Sequence, residues 1–319
     1  MVKKRKRENP IKGIVKLSLI KFLIWLLNIL PRRLLYGIAR ILTSISWAVM
    51  RPPKRTSLFN LERVFGKEKS QKEIKRLAKE NAFHLVKNVC ELFRGMNLSK
   101  DQIDRLFKIE GKENLDRALA KGKGIIGLSA HIGNFMMISI KMNRKGYSFG
   151  YIARDILGER VAKLLADMRR RMGAYTIPAF PPHACTHRCI DWLRKNSILF
   201  LQFDRIPVKG GVVIDFFGHP AATMPGPITL ARRTGAAIVP MFIVRQRDNT
   251  HKIVIEPEVE LEKTGDKEKD LLTNAQKLTK IVENAILRYP EDYFWIFRRW
   301  MDQVPHKSEK RRHGDPEKR

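Results

Sequence analysis

Beyond Gly111 the chain alternates short apolar runs with longer amphipathic stretches, and this alternation restricts the possible folds more than any other feature. Apolar runs at 125–129, 148–152, 198–203, 212–216, 237–244 and 252–255 read as strands, and helical periodicity at 135–144, 159–171, 183–195, 225–233 and 271–288 fills the intervals. Strands separated by helices join in parallel through crossover connections. The fold expected is therefore α/β, with a mixed, largely parallel central sheet flanked by helices.

In an open sheet of this kind ligands gather outside the carboxyl ends of the strands. Three chemistry-bearing places stand there. His131 lies on the turn between the run 125–129 and the helix that follows, where Gly133 lets a substrate approach the backbone and the first amides of the helix face it. Arg154-Asp155 follow the run 148–152, and Asp204-Arg205 follow the run 198–203. One crevice is expected to collect His131, Arg154 and Asp204. Histidine is the usual base near neutral pH; loop salt bridges are the plain alternative for the other two.

The 319 residues carry 63 Lys and Arg against 32 Asp and Glu, a formal charge of +31, so the partner expected is polyanionic. Basic residues are spread over the whole chain without a recognisable nucleic-acid-binding module. Nucleic acid therefore ranks behind anionic lipid, a phosphorylated substrate or an acidic carrier protein. Three cysteines give no disulfide framework. Two of them alternate with histidines in His183-Ala-Cys185-Thr-His187-Arg-Cys189, which has the outline of a metal site. On a helix the histidine pair and the cysteine pair face about 160° apart and cannot converge on one ion, so no metal is expected.

Residues 1–52 form a basic arm followed by apolar stretches at 14–30 and 34–50. Lys16, Lys21 and Arg40 interrupt them, and neither reaches the charge-free length of about eighteen residues that marks a spanning helix. A hydrophobic helical anchor is expected, spanning or lying in the interface with snorkelling lysines. A cleaved signal peptide fits less well, because no small-residue cleavage site follows and the flanks stay basic. Pro52-Pro53 separates this anchor from a domain over 53–302, and the tail 303–319, almost without apolar residues, is expected to be disordered.

Two further stretches bear on binding. Asp215-Phe216-Phe217-Gly218-His219-Pro220-Ala221-Ala222-Thr223 precedes a helix, with Thr223 read as its N-cap; the paired phenylalanines, Gly218 and Thr223 would suit an acyl chain or thioester against the backbone. Tyr289-Pro290-Glu291-Asp292-Tyr293-Phe294-Trp295-Ile296-Phe297-Arg298-Arg299-Trp300 mixes aromatics with arginines, and Arg298 and Arg299 could meet phosphate groups at a membrane surface.

Together these pieces resemble the bacterial lipid A biosynthesis acyltransferases, from the N-terminal anchor to about Trp300. The resemblance is carried by the order and spacing of "SAHIGNF", Arg154, Arg171 before Gly173, Asp204, "FFGHPAAT", "TGAAIVP" and "YPEDYFWIFRRW". It implies a glycerolipid-acyltransferase-like fold at the cytoplasmic face of the inner membrane. It also implies transfer of a fatty acyl group from an acyl-carrier-protein or coenzyme A thioester to a hydroxyl of a lipid A precursor or a related glycolipid or phospholipid. No bound cofactor is implied, and the partners are anionic membrane lipid, acyl carrier protein and the glycolipid acceptor. The family signature is His, four residues, then Asp or Glu, with the histidine as base and the acid orienting it. His131 matches, but the fifth residue on is Met136, whose thioether neither accepts a strong hydrogen bond nor stabilises an imidazolium.

Three readings follow. The enzyme is active with Asn134, Asp204 or Asp155 orienting His131; or it is slow; or the chain is a non-catalytic lipid-binding relative. In the first, Arg154 or the amides near Gly133 and Asn134 would hold the oxyanion, and direct transfer is favoured over an acyl intermediate on Ser129.

Overall fold

The computed structural model describes residues 10–95, 97–154, 159–207 and 211–300. A seven-stranded sheet runs in the order β1-β9-β8-β2-β5-β3-β4. Its strands are β1 (Phe107–Glu110), β2 (Ile125–Ser129), β3 (Phe149–Ala153), β4 (Tyr175–Pro178), β5 (Ile198–Gln202), β8 (Ala237–Arg245) and β9 (His251–Ile255). All neighbouring pairs are parallel except β8 with β9, which a tight turn at Asn249 joins as a hairpin.

The centre is the part the hydrophobic pattern dictates most strongly. Every residue of β2 is buried, and so are the first eight of β8, because helices cover both faces of a parallel sheet. On one face Ile126, Leu128, Leu199 and Phe242 pack with α3 (Arg51–Phe65), α9 (Pro182–Arg194), α10 (Gly226–Thr234) and α11 (Lys267–Arg288). On the other, Ile125, Phe200, Val239 and Ile253 pack with α5 (Lys100–Leu106), α6 (Lys112–Leu119) and α7 (Ile138–Arg144).

Two expectations need correction. The run 212–216 is not in the central sheet: β6 (Val212–Phe216) pairs antiparallel with β7 (His219–Thr223) in a separate hairpin. Phe217 and Gly218 close it in the left-handed region (φ 54° and 76°), the two-residue turn whose twist matches the strands. Thr223 therefore ends a strand rather than capping a helix; α10 begins at Gly226, with Pro225 at its cap position.

The N-terminal helices α1 (Pro10–Ile29) and α2 (Arg32–Val49) lie against α4 (Gln71–Gly95). In α2, Leu35, Ala39 and Thr43 point inward while Ile41, Leu42, Ile45 and Val49 stay exposed. In α1, Leu19, Phe22, Trp25 and Ile29 are exposed. Among the described residues no helix is long and apolar enough to cross a membrane, so the spanning form of the expected anchor is not met. Charges explain this, since Lys16 and Lys21 divide α1. The basic start and the tail 303–319 lie outside the described residues.

Candidate active site

Strand register places the central pair. Ser129 of β2 is opposite Gln202 of β5, and the ladder continues one step beyond, with Phe203 N donating to Ser129 O at 2.8 Å. Two residues further along each chain, His131 and Asp204 therefore come level. Asp204 Oδ1 accepts from His131 Nδ1 at 2.8 Å and from the His131 backbone amide at 3.2 Å. With Nδ1 carrying the proton toward the carboxylate, Nε2 keeps the basic lone pair.

The Asp204 side chain is 1 % exposed. Burial pushes its carboxyl up, but the His131 charge and the two hydrogen bonds from His131 outweigh burial and hold the group below its ordinary value. Tyr293 is buried beside it, and burial together with the Asp204 charge drives that phenol well above its usual range.

Aromatic rings fix the imidazole. Phe135 and Phe297 meet it edge-on, with centroids at 5.0 and 5.2 Å, and Phe294 lies at 6.0 Å. The segment 289–297 holds the turn through its backbone. Phe294 N donates to His131 O at 2.9 Å, Gly133 N donates to Asp292 O at 2.8 Å, and Ile132 bridges to Tyr293. Gly133 is obligatory here: its φ is +58°, and a Cβ would sit 2.1 Å from Ile243 O. Its amide is thus already committed to Asp292 and is not free for an oxyanion, contrary to expectation.

The other expected residues scatter more widely. Asn134 does not orient His131; its amide donates to Asn88 O at 3.0 Å and to Glu91 Oε2 at 3.3 Å, tying the turn to α4. Arg154 is exposed at the end of β3, two strands from β2, with its guanidinium 4.8 Å from the Phe180 ring centre. Asp155 lies outside the described residues. Arg171 is exposed at the end of α8 (Glu159–Arg171). Arg299, expected to meet phosphate, is 2 % exposed and donates to Ala222 O at 2.8 Å and Thr223 Oγ1 at 2.6 Å. It locks the hairpin to the core, and Thr223 and Phe216 are buried with it. Phe217 and Gly218 form the hairpin tip, and Arg298 is half-buried. Met136 is half-buried in the single 3₁₀ turn Phe135–Met137.

Three features have no role in the sequence reading, although it names Arg205 beside Asp204 and Tyr293 within the aromatic motif. Arg205 lies with its guanidinium 3.8 Å from the centre of the Phe297 ring, which also touches His131. Its place directly after Asp204 was the available signal. Tyr293 belongs to an aromatic motif whose inward member no spacing reveals. The third is a buried ionic knot behind the turn. Glu91 accepts from Arg245 at 2.5 and 2.7 Å and lies 3.0 Å from His251 Nε2. Burial raises the Glu91 carboxyl, yet His251 and Arg245 bring it well below its ordinary value.

On α9, Cys185 and Cys189 face the core and His183 and His187 face solvent. Among the described residues no group of three His, Cys, Asp or Glu side chains is arranged to hold a metal ion.

The sequence profile of the bacterial lipid A biosynthesis acyltransferases matches residues 2–302. A phosphatidylinositol mannoside acyltransferase of Mycobacterium tuberculosis is 32 % identical over 143 residues, 44 % of each chain, so the match spans less than half of that relative's length. The Escherichia coli lipid A biosynthesis palmitoleoyltransferase is 26 % identical over 244 residues, 76 % of each chain. The lipid A biosynthesis lauroyltransferase of the same organism is 22 % identical over 279 residues, 87 % of this chain and 88 % of its own. With its profile matched over nearly the whole length, the chain belongs to the bacterial lipid A biosynthesis acyltransferase family.

Proposed function

We propose that this protein transfers a fatty acyl group from an acyl-carrier-protein or coenzyme A thioester to a hydroxyl of a lipid A precursor or a related glycolipid. The observation that carries the reading is the His131–Asp204 contact at 2.8 Å, with the carboxylate buried, at the adjoining carboxyl ends of β2 and β5. His131 Nε2 takes the proton of the acceptor hydroxyl as its oxygen attacks the thioester carbonyl. Asp204 holds the proton on Nδ1 and stabilises the imidazolium that forms. Collapse of the tetrahedral adduct breaks the C–S bond, and the imidazolium returns the proton to the leaving thiolate. Arg205, set against the Phe297 ring that also meets His131, is the cation suited to the oxyanion, and the exposed Arg154 at the end of β3 is suited to phosphates on donor or acceptor.

The exposed apolar faces of α1 and α2, flanked by Arg32, Arg33 and Arg51, support attachment along the cytoplasmic surface of the inner membrane rather than a crossing. Anionic lipid and an acidic acyl carrier protein fit the charge of +31. The test incubates the full chain with acyl-carrier-protein and coenzyme A thioesters and a panel of lipid A precursor and phosphatidylinositol mannoside acceptors. His131→Ala is expected to cut transfer about 10²–10⁴-fold, the usual contribution of a positioned general base; transfer unchanged by that substitution would overturn the reading.

A further inference from the structure

A cavity of about 740 Å³, whose lining does not include His131, lies between α2, α4 and the β8–β9 turn, with Glu291 at its border. Arg40, Lys87, Arg245 and Arg247 line it, against Glu80 and Glu291. Arg245 is spent on Glu91, and Arg40 stands 3.4 Å from Glu80. Lys87 is different. The residue is 5 % exposed, and among the described residues no carboxylate lies within ion-pair distance of its ammonium. Nζ donates to Asn249 Oδ1 at 3.0 Å, and the rings of Phe83 and Tyr36 flank it at 4.6 and 5.5 Å.

A lysine this deeply placed is ordinarily paired with an anion. Asn249 takes one of the three ammonium donors, and Lys87 lines the cavity together with the exposed Arg247. Burial and the neighbouring Arg245 pull the Lys87 ammonium down to about 8, against the upward pull of the more distant Glu91, Glu80 and Asp292 carboxylates.

We infer that this cavity is a second binding site, distinct from the His131 crevice, that takes the phosphate of a membrane-lipid headgroup on Lys87 and Arg247. Its position selects a lipid as the source. The cavity opens beside Gly37 of α2, where a Cβ would meet nothing within 4 Å, and the neighbouring flank of the same helix exposes Ile38 and Ile41. Acyl chains lying along that flank would carry a phosphate to Lys87. Glu80 and Glu291 would accept from headgroup amine or hydroxyl groups. The inference rests on the membrane-attached reading of α1 and α2, but not on acyl transfer.

The experiment uses the full-length protein and monomeric short-chain probes, which avoid the unspecific attraction of a +31 chain to charged vesicles. Calorimetric titrations compare dihexanoyl phosphatidylethanolamine and phosphatidylglycerol with dihexanoylglycerol, which lacks the phosphate, and with inorganic phosphate. Wild type is expected to bind the phospholipids at least tenfold more tightly than either control. Lys87→Met keeps the stem between the rings and is expected to weaken phospholipid binding about tenfold. Gly37→Trp closes the mouth from an open helical position and is expected to abolish binding without lowering the melting temperature. Equal binding by both variants, or equal binding of dihexanoylglycerol, would overturn the site. Inorganic phosphate bound as tightly as the lipids would overturn the lipid assignment. His131→Ala is expected to bind these probes like wild type, so a failure of the acyl-transfer reading would leave this result untouched.

Discussion

Asp204→Asn isolates what the buried carboxylate does for His131. The side chain keeps its size, so the place at the end of β5 stays filled, but the negative charge and one acceptor are lost. At the 2.8 Å contact the charge centres lie about 4 Å apart, where opposite charges interact by about 4 kcal/mol at an effective dielectric of 20, close to 10³ in rate. The amide also donates where the carboxylate accepted, drawing the lone pair to Nδ1 and leaving Nε2 protonated; the same change in a serine-protease triad costs about 10⁴. A fall in kcat of about 10³–10⁴ with KM unchanged is expected in single-turnover transfer of a labelled acyl group from the carrier thioester. A fall below tenfold in a folded variant would refute the argument.

The stability profile supplies a second readout of that variant. Asp204 has its carboxyl held below the ordinary 3.8 by His131, so its contribution to stability is full above that value and is lost as pH falls through the lower, folded-state one. Acid titration of the melting temperature should lose that component in Asp204→Asn.

Glu91→Gln removes the counter-charge of the buried Arg245 and the carboxylate that meets His251 Nε2, and should cost about 3–5 kcal/mol in chemical denaturation, the range for breaking one side of a buried pair. Gly133→Ala forces a Cβ to within 2.1 Å of Ile243 O at φ +58° and should cost at least about 2 kcal/mol, with loss of transfer as the His131 turn shifts. Met136→Glu should leave the rate within about twofold of wild type, because Nδ1 of His131 already has its carboxylate; a sharp rise would mean that Asp204 orients the base poorly.

Much of this arrangement is legible in the sequence, and the divisions are physical. Strands β2, β3 and β5 read directly because burial on both faces makes them uninterrupted apolar runs. The edge strands β1 and β4 escaped: Phe107-Lys108-Ile109-Glu110 and Tyr175-Thr176-Ile177-Pro178 are four residues each and half polar, too short for any period to register. Strand β7, His219-Pro220-Ala221-Ala222-Thr223, contains few strand-favouring residues and exists through its pairing with β6. Arg299 misled for the opposite reason, since an arginine near the chain end suggests solvent, whereas its partners are 76 and 77 residues away in sequence. The Glu91 knot is the extreme case, assembled from residues 154 and 160 positions apart.

The departure at Met136 then has a structural account in the order of the strands. An acid five residues after the histidine must reach back from the following helix across a turn, and its position depends on how that turn is held. An acid two residues past the end of the neighbouring parallel strand is placed by the ladder itself, because Ser129 opposite Gln202 carries through to His131 opposite Asp204. The carboxylate that the sheet delivers is already buried and accepts from both nitrogens that His131 offers it. A thioether at position 136 therefore leaves no donor on His131 unpaired and no charge uncompensated. The register of β2 and β5 thus brings an acid to His131 independently of the segment that carries Met136.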